Sequence, residues 1–215
     1  MQQLCKGILI SIEGIDGSGK STLAKNLAAA LASAGFDCVQ TREPGATPLG
    51  MQLRTLVQEK KVPLCAQSEF LLFAADRAQH FQQIIIPQLA QRTLILSDRM
   101  ADSSLVYQGY GRGLSRDMIA AINAWAMSGI TPDLTIYVRV SAQLALERIM
   151  QRKLKLSSFE KENLEFTQRL VTGFDEIFKT RENCIEIDGS HTEDAISTLA
   201  QEKVITWIHT NKLIS

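Results

Sequence analysis

The segment Gly14-Ile15-Asp16-Gly17-Ser18-Gly19-Lys20-Ser21 fits the pattern G-x-x-x-x-G-K-[ST], and its flanks decide what the match is worth. Ahead of it, Ile8-Leu9-Ile10-Ser11-Ile12 reads as a buried strand; behind it, Thr22-Leu23-Ala24-Lys25-Asn26-Leu27-Ala28-Ala29-Ala30-Leu31 reads as a helix. In that context the glycines let the backbone curl so that successive N–H groups point at phosphate oxygens. The helix adds its positive N-terminal end. Lys20 is placed to neutralise the outer phosphates, and the Ser21 hydroxyl to ligate magnesium. With Gly near 7% of residues, chance produces the pattern in only about 1% of chains this long. Residues Gly14, Ile15, Asp16, Gly17, Ser18, Gly19, Lys20, Ser21 and Thr22 are therefore expected to bind a nucleoside triphosphate.

Apolar strands alternate with amphipathic helical segments along the rest of the chain. Further strands are predicted at Phe36 to Thr41, Thr93 to Ser97, Pro132 to Val138 and Asn183 to Gly189. Helices are predicted around Leu49 to Glu59, from Gln67 into Ile86, at Asp117 to Ala126, from Ser141 to about Arg152, up to Phe178, and from Glu193 to Thr210. Pro87 is expected to kink or end the second of these. Trp125 is expected on the apolar, core-facing side of its helix. The alternation implies a five-stranded parallel sheet with helices on both faces, in one domain over residues 1–215, with the site beyond the C-terminal strand ends. The phosphate loop, Arg42-Glu43 and Asp98-Arg99 all fall at such ends.

At 23 basic and 23 acidic residues the charge is balanced, so no surface for a nucleic acid polymer is implied. An anionic substrate must then meet a local cluster of Arg and Lys. No apolar run approaches the roughly 18 residues of a membrane span, and the N-terminus has no signal-peptide anatomy. Cys5, Cys38, Cys65 and Cys184 are scattered without C-x-x-C spacing, and the histidines show no metal-ligand spacing. Cys38 and Cys184 are expected to be buried structural thiols, and the protein to be reduced and cytoplasmic.

A phosphate loop alone does not separate kinases, GTPases and motor ATPases. The base-reading N-K-x-D of a GTPase is missing, as is an apolar run ending in Asp-Glu. A compact chain with arginines at its strand ends and a charged segment from Gln151 to Glu162 suits a small-molecule kinase. Several ordered motifs sharpen this: Glu13 to Thr22, Thr41-Arg42-Glu43-Pro44-Gly45, Phe73-Ala74-Ala75-Asp76-Arg77, Asp98-Arg99, Asp102 to Gly109, and Pro132-Asp133-Leu134-Thr135. In their order and spacing the chain resembles the thymidylate kinase family over essentially its full length.

That resemblance implies a P-loop NTPase three-layer sandwich with a short lid at about residues 151–162. It also implies transfer of the γ-phosphoryl of ATP to dTMP with Mg²⁺, giving dTDP for dTTP synthesis, by an enzyme that is commonly a homodimer. Carried over residue by residue, Asp16 takes the deoxyribose 3′-hydroxyl, and Tyr107 excludes a 2′-hydroxyl. Phe73 lies against the thymine face and Arg77 meets the base carbonyl edge, while Gln108 reads the amide edge with support from Ser104. Arg54 and Arg99 clamp the dTMP phosphate, Glu43 lies near the acceptor, and Asp98 joins Ser21 at magnesium. No general base is needed, because the attacking phosphate oxygen is already anionic.

The likeness departs from the family at the cation for the transferred group. Members supply an Arg either in the phosphate loop or from the lid; here those positions hold Gly17 and Ser158. Arg152 or Lys153 is expected to substitute, with Arg148 nearer ATP. Met100, where the family has an aromatic, is expected to have a modest effect. Two other readings remain open at this point: a kinase with another nucleotide or nucleoside acceptor, and a nucleotide-binding protein whose altered lid has lost transfer.

Overall fold

The computed structural model describes residues 2–59, 62–152 and 156–214. Its five strands are β1 (Ile8–Glu13), β2 (Cys38–Arg42), β3 (Leu94–Asp98), β4 (Leu134–Arg139) and β5 (Cys184–Asp188), all parallel in the order β2-β3-β1-β4-β5. The central strands are apolar on both faces, which only a sheet covered on both sides can bury. Ile8, Ile10 and Ile12 pack with Leu94 and Leu96 against helices α1 (Lys20–Ser33) and α9 (Glu193–Thr210). Leu9 and Ile95, on the opposite face, meet Phe81, Ile85 and Met127. The expected sheet and its strand positions agree with the structure to within a residue or two at each end.

The remaining helices are α2 (Pro48–Glu59), α3 (Ala66–His80), α4 (Ile86–Ala90), α5 (Ala101–Ser104), α6 (Arg116–Ala126), α7 (Ala142–Gln151) and α8 (Leu164–Phe178). The hydroxyls of Ser115, Ser141 and Thr192 and the side-chain oxygen of Asn163 cap α6, α7, α9 and α8 by accepting from the N–H of the third residue of each helix.

Three expectations change. Pro87 does not end its helix: a wide π-helical turn, Phe81–Ile85, precedes α4, and the chain stays helical through Pro87 to Ala90. Such a turn shifts the hydrogen-bond pattern at the point where proline lacks an N–H and crowds the preceding turn. Trp125 is 81% exposed rather than core, because α6 turns Ile119, Asn123 and Ala126 inward instead. Cys38 and Cys184 are only half-buried, on edge strands, although burial still pushes their thiols up to about 12 and about 11. All four cysteines are free.

Candidate active site

Parallel pairing brings the ends of β1, β2 and β3 side by side, with Asp98 in register with both Ile12 and Arg42. The segments that follow these strands line one cleft of roughly 1120 Å³, whose walls include the phosphate loop, Arg42 to Pro44, Asp98 to Met100 and parts of α2, α3, α7 and residues 156–161.

The loop after β1 leads into α1, whose cap position is Gly19 with a left-handed backbone (φ 96°) and no side-chain cap. The first N–H groups of α1 are thus left for an anion. Gly17 is fixed twice over: its φ is 82°, and a Cβ there would lie 2.4 Å from the Ala145 carbonyl oxygen of α7. A loop arginine at this position is therefore incompatible with the way α7 packs. Lys20 is buried and donates to the Ile15 carbonyl at 2.6 Å and to Ser18 Oγ at 3.3 Å; burial, with Arg99 nearby, lowers it to about 8.

Ser21 Oγ donates to Asp98 Oδ2 at 2.5 Å, while Asp98 Oδ1 is buried without a hydrogen-bond partner. No group of three or more His, Cys, Asp and Glu able to hold a metal is found among the described residues. Hydroxyl and carboxylate oxygens side by side, with one oxygen unpaired, fit a hard cation that takes most of its ligands from phosphates and water. The residues present therefore fit magnesium.

Arg99 sits just past β3 in a left-handed conformation (φ 74°), which costs an ordinary residue on the order of 1 kcal/mol. Neighbours hold it there. Its N–H donates to the Ile12 carbonyl at 3.0 Å. The buried Glu13 accepts from the next N–H, Met100, at 2.7 Å and from Ser103 Oγ at 2.6 Å. Burial and the charge of Asp102 raise the Glu13 carboxyl to about 7. Arg99 Nη1 donates to the Gly14 carbonyl at 3.0 Å and Ser103 Oγ at 2.9 Å, and Nη2 to Asp16 Oδ1 at 2.6 Å and Tyr107 Oη at 3.1 Å. Tyr107 Oη in turn donates to Asp16 Oδ2 at 3.0 Å. Burial opposes the Asp16 charge, but Arg99 and Lys20 outweigh it and hold the carboxyl below its usual range. Arg54, which donates to the Pro44 carbonyl at 2.9 Å, is lowered by burial and by Arg42, with Arg99 adding to the repulsion. Guanidiniums crowded in this way favour a phosphate dianion between them.

The deeper wall is built from α3 and from the chain after β3. Arg77 is 2% exposed, far from a solvated helix face. Its Nε donates to Glu43 Oε2 at 2.8 Å, Nη1 to Ser104 Oγ at 3.1 Å and Asn123 Oδ1 at 2.6 Å, and Nη2 to the Met100 carbonyl at 3.0 Å. Of the five N–H donors of a guanidinium, one on Nη2 is left over. Both Glu43 oxygens are engaged, the second with His80 Nδ1 at 2.9 Å, so its carboxylate holds Arg77 in place from within the cleft wall. Phe73, one turn before Arg77, packs at 5.9 Å between ring centroids against Phe159, which also meets Tyr107 edge-on at 5.7 Å. Gln108, Ser104 and Met100 line the same wall. Tyr107 and Gln108 lie in a second π-helical stretch, Leu105–Gly111.

At the cleft's other end Arg148 donates to the Gly189 carbonyl at 2.8 Å, and Arg152 pairs with Glu160 at 2.6 Å. Lys153 and Lys155 lie outside the described residues. Ser158, where the resemblance would place a lid arginine, is turned to the end of α2: its N–H and Oγ donate to the Gln58 and Val57 carbonyls at 3.0 Å and 2.9 Å.

Sequence reasoning gave no site role to Glu13, Ser103, His80 and Asn123. Glu13 and Ser103 lie inside motifs singled out above, but the partners that give them a role, like those of His80 and Asn123, are mostly distant in sequence.

Asp76 illustrates a cost of packing acids behind this wall. Its Oδ1 accepts from the Gly45 N–H at 3.0 Å, and its Oδ2 is buried without a hydrogen-bond partner. Burial, then the charge of Glu43, raises it to about 6. An unfolded Asp ionises near 3.9, so the folded state is penalised as pH rises from about 4 to 6 and fully above that. Asp76→Asn is expected to melt about 2–4 °C or more above the parent at pH 7.5, with the difference gone by pH 4. Thermal scans across pH test this; a gap that widens toward acid would contradict it.

A family model described as thymidylate kinase matches residues 12–199. The chain is similar to a thymidylate kinase of Kosmotoga olearia, 40% identical over 190 residues, covering 88% of this chain and 91% of that protein. It is also similar to one of Nostoc punctiforme, 38% identical over 199 residues (91% and 94%). A third, of Halothermothrix orenii, is 46% identical over 143 residues (66% and 69%).

Proposed function

This chain belongs to the thymidylate kinase family, and from that premise we infer that it transfers the γ-phosphoryl of ATP to dTMP, giving dTDP for dTTP synthesis. The observation that supports this best is the meeting of two unlike half-sites in one cleft. The cleft is lined by the phosphate loop with Lys20, by Phe73, Arg77 and Gln108, and by the arginines Arg54 and Arg99.

In this reading the loop N–H groups and Lys20 hold the triphosphate, and Arg148 lies toward its nucleoside end. Arg54 and Arg99 grip the dTMP phosphate, Asp16 accepts from the 3′-hydroxyl, and Tyr107 closes the space a 2′-hydroxyl would need. Phe73 stacks on thymine, the remaining Arg77 N–H meets a base carbonyl, and Gln108 meets the amide edge. Ser21 and Asp98 would hold magnesium, which supplies charge neutralisation at the phosphates when bound. The acceptor oxygen attacks as an anion, so positioning and charge neutralisation carry the reaction. Arg152 or Lys153 supplies the cation for the moving phosphoryl. We read residues 1–215 as one cytoplasmic catalytic domain with its lid at about 151–162. A homodimer would cover the apolar face of Leu71, Met118 and Trp125, each more than half exposed. No described helix is long and apolar enough to cross a membrane.

A coupled ADP-release assay with ATP–Mg²⁺ and a panel of acceptors tests the reading. Turnover is expected with dTMP, with dUMP weaker by about 10–200-fold for the missing methyl, and none with UMP or thymidine. ATP binding without acceptor-dependent turnover would overturn it in favour of a binding protein.

A further inference from the structure

Behind the cleft wall, Glu69 of α3 is 2% exposed and is paired with Arg112, whose Nε lies 3.3 Å and Nη2 3.5 Å from its two oxygens. Arg112 is held from its other side by Glu162, at 2.7 Å. A carboxylate in such a pair only accepts hydrogen bonds. Gln108 reaches it, donating from Nε2 to Glu69 Oε1 at 3.0 Å. That contact decides which way the amide points, because the reverse orientation would set two acceptors against each other. Gln108 Oε1 then faces the cleft that the residue lines, and it accepts no hydrogen bond from the described residues.

We propose that Glu69 sets the base preference of the acceptor site: by fixing the Gln108 amide it presents a carbonyl oxygen that accepts the N3–H of thymine or uracil and repels the bare N3 of cytosine. This rests on the acceptor reading above and extends it to a residue that does not line the cleft. The pattern on the wall is consistent. The leftover Arg77 N–H donates and Gln108 Oε1 accepts, which matches a carbonyl beside an N–H. Cytosine offers the reverse, an amino group beside a lone pair. Glu69 does for Gln108 what Glu43 does for Arg77: each buried carboxylate spends its acceptors on orienting a neighbour. It is a positioning residue.

Glu69→Gln keeps the volume but can donate or accept, so either orientation of Gln108 becomes satisfiable. The ratio of kcat/KM for dTMP over dCMP is expected to fall at least tenfold, through a higher KM for dTMP and tighter binding of dCMP by calorimetry. The KM for ATP should not move. Arg112→Gln, which takes away the guanidinium that holds the Glu69 oxygens in place beside Gln108, carries the same expectation should the first variant fail to fold. Glu69→Asp, still an acceptor only, should keep the ratio. An unchanged ratio in folded Glu69→Gln or Arg112→Gln, with both acceptors losing equally, would show that the ion pair is structural and overturn the proposal. A wild-type protein indifferent to dTMP and dCMP would instead overturn the acceptor reading itself.

Discussion

Arg99→Ala is expected to lower kcat/KM for dTMP by at least three orders of magnitude, roughly 4 kcal/mol of transition-state stabilisation. Arg99 carries more of the site than any other side chain. It ties the phosphate loop through the Gly14 carbonyl, the acceptor acid Asp16 and the closing ring of Tyr107. Truncation removes the cation proposed to grip the dTMP phosphate and leaves Asp16 with Tyr107 and Lys20 as its remaining support. Burial opposes the Arg99 charge, but Tyr107, Asp16, Asp98 and Glu13 raise its pKa, so it stays a cation at any working pH. Arg99→Lys keeps a charge but not the fork that spans Gly14, Ser103 and Asp16, and should recover less than a tenth of the loss. Steady-state kinetics together with melting curves separate this from unfolding. A folded Arg99→Ala within tenfold of wild type would remove Arg99 from the reaction.

Arg152→Ala is expected to reduce kcat by about 100-fold or more while the KM for ATP changes little, the pattern of an interaction made in the transition state. Gly17 cannot carry a side chain where α7 crosses the loop, and Ser158 is bound to the carbonyl end of α2. Arg152 lines the cleft, and its half-exposed guanidinium can exchange its partner Glu160 for an arriving phosphate. Lys153, outside the described residues, is tested beside it by Lys153→Ala. Full turnover in both variants would sink the assignment.

How much was legible in the sequence varied with the kind of constraint. The phosphate loop and the first helix were legible because backbone curvature and helix polarity are local properties, written in glycines and in a strand–helix boundary. Strand positions followed from apolar runs that only a doubly covered sheet can bury. The chain after β3 was not legible. Ala101–Ser104 and the π-helical Leu105–Gly111 follow neither a 3.6- nor a 2-residue period, so Tyr107 and Gln108 could be named from a resemblance but not placed on an element. Trp125 was misread for a related reason. Its helix has apolar residues on more than one side, and periodicity cannot say which side meets the core.

By itself, the sequence determined the fold class, the strands and the phosphate loop, together with the family, because each rests on short-range pattern or ordered motifs. Tertiary structure alone decided which groups are spoken for. Glu43 is spent on Arg77 and His80, Glu69 on Gln108 and Arg112, Ser158 on α2, and Gly17 on the close passage of α7. The physical reason is that a side chain's chemistry depends on which donors, acceptors and charges surround it once water is excluded. Those neighbours come from segments tens of residues apart, brought together only by the parallel sheet.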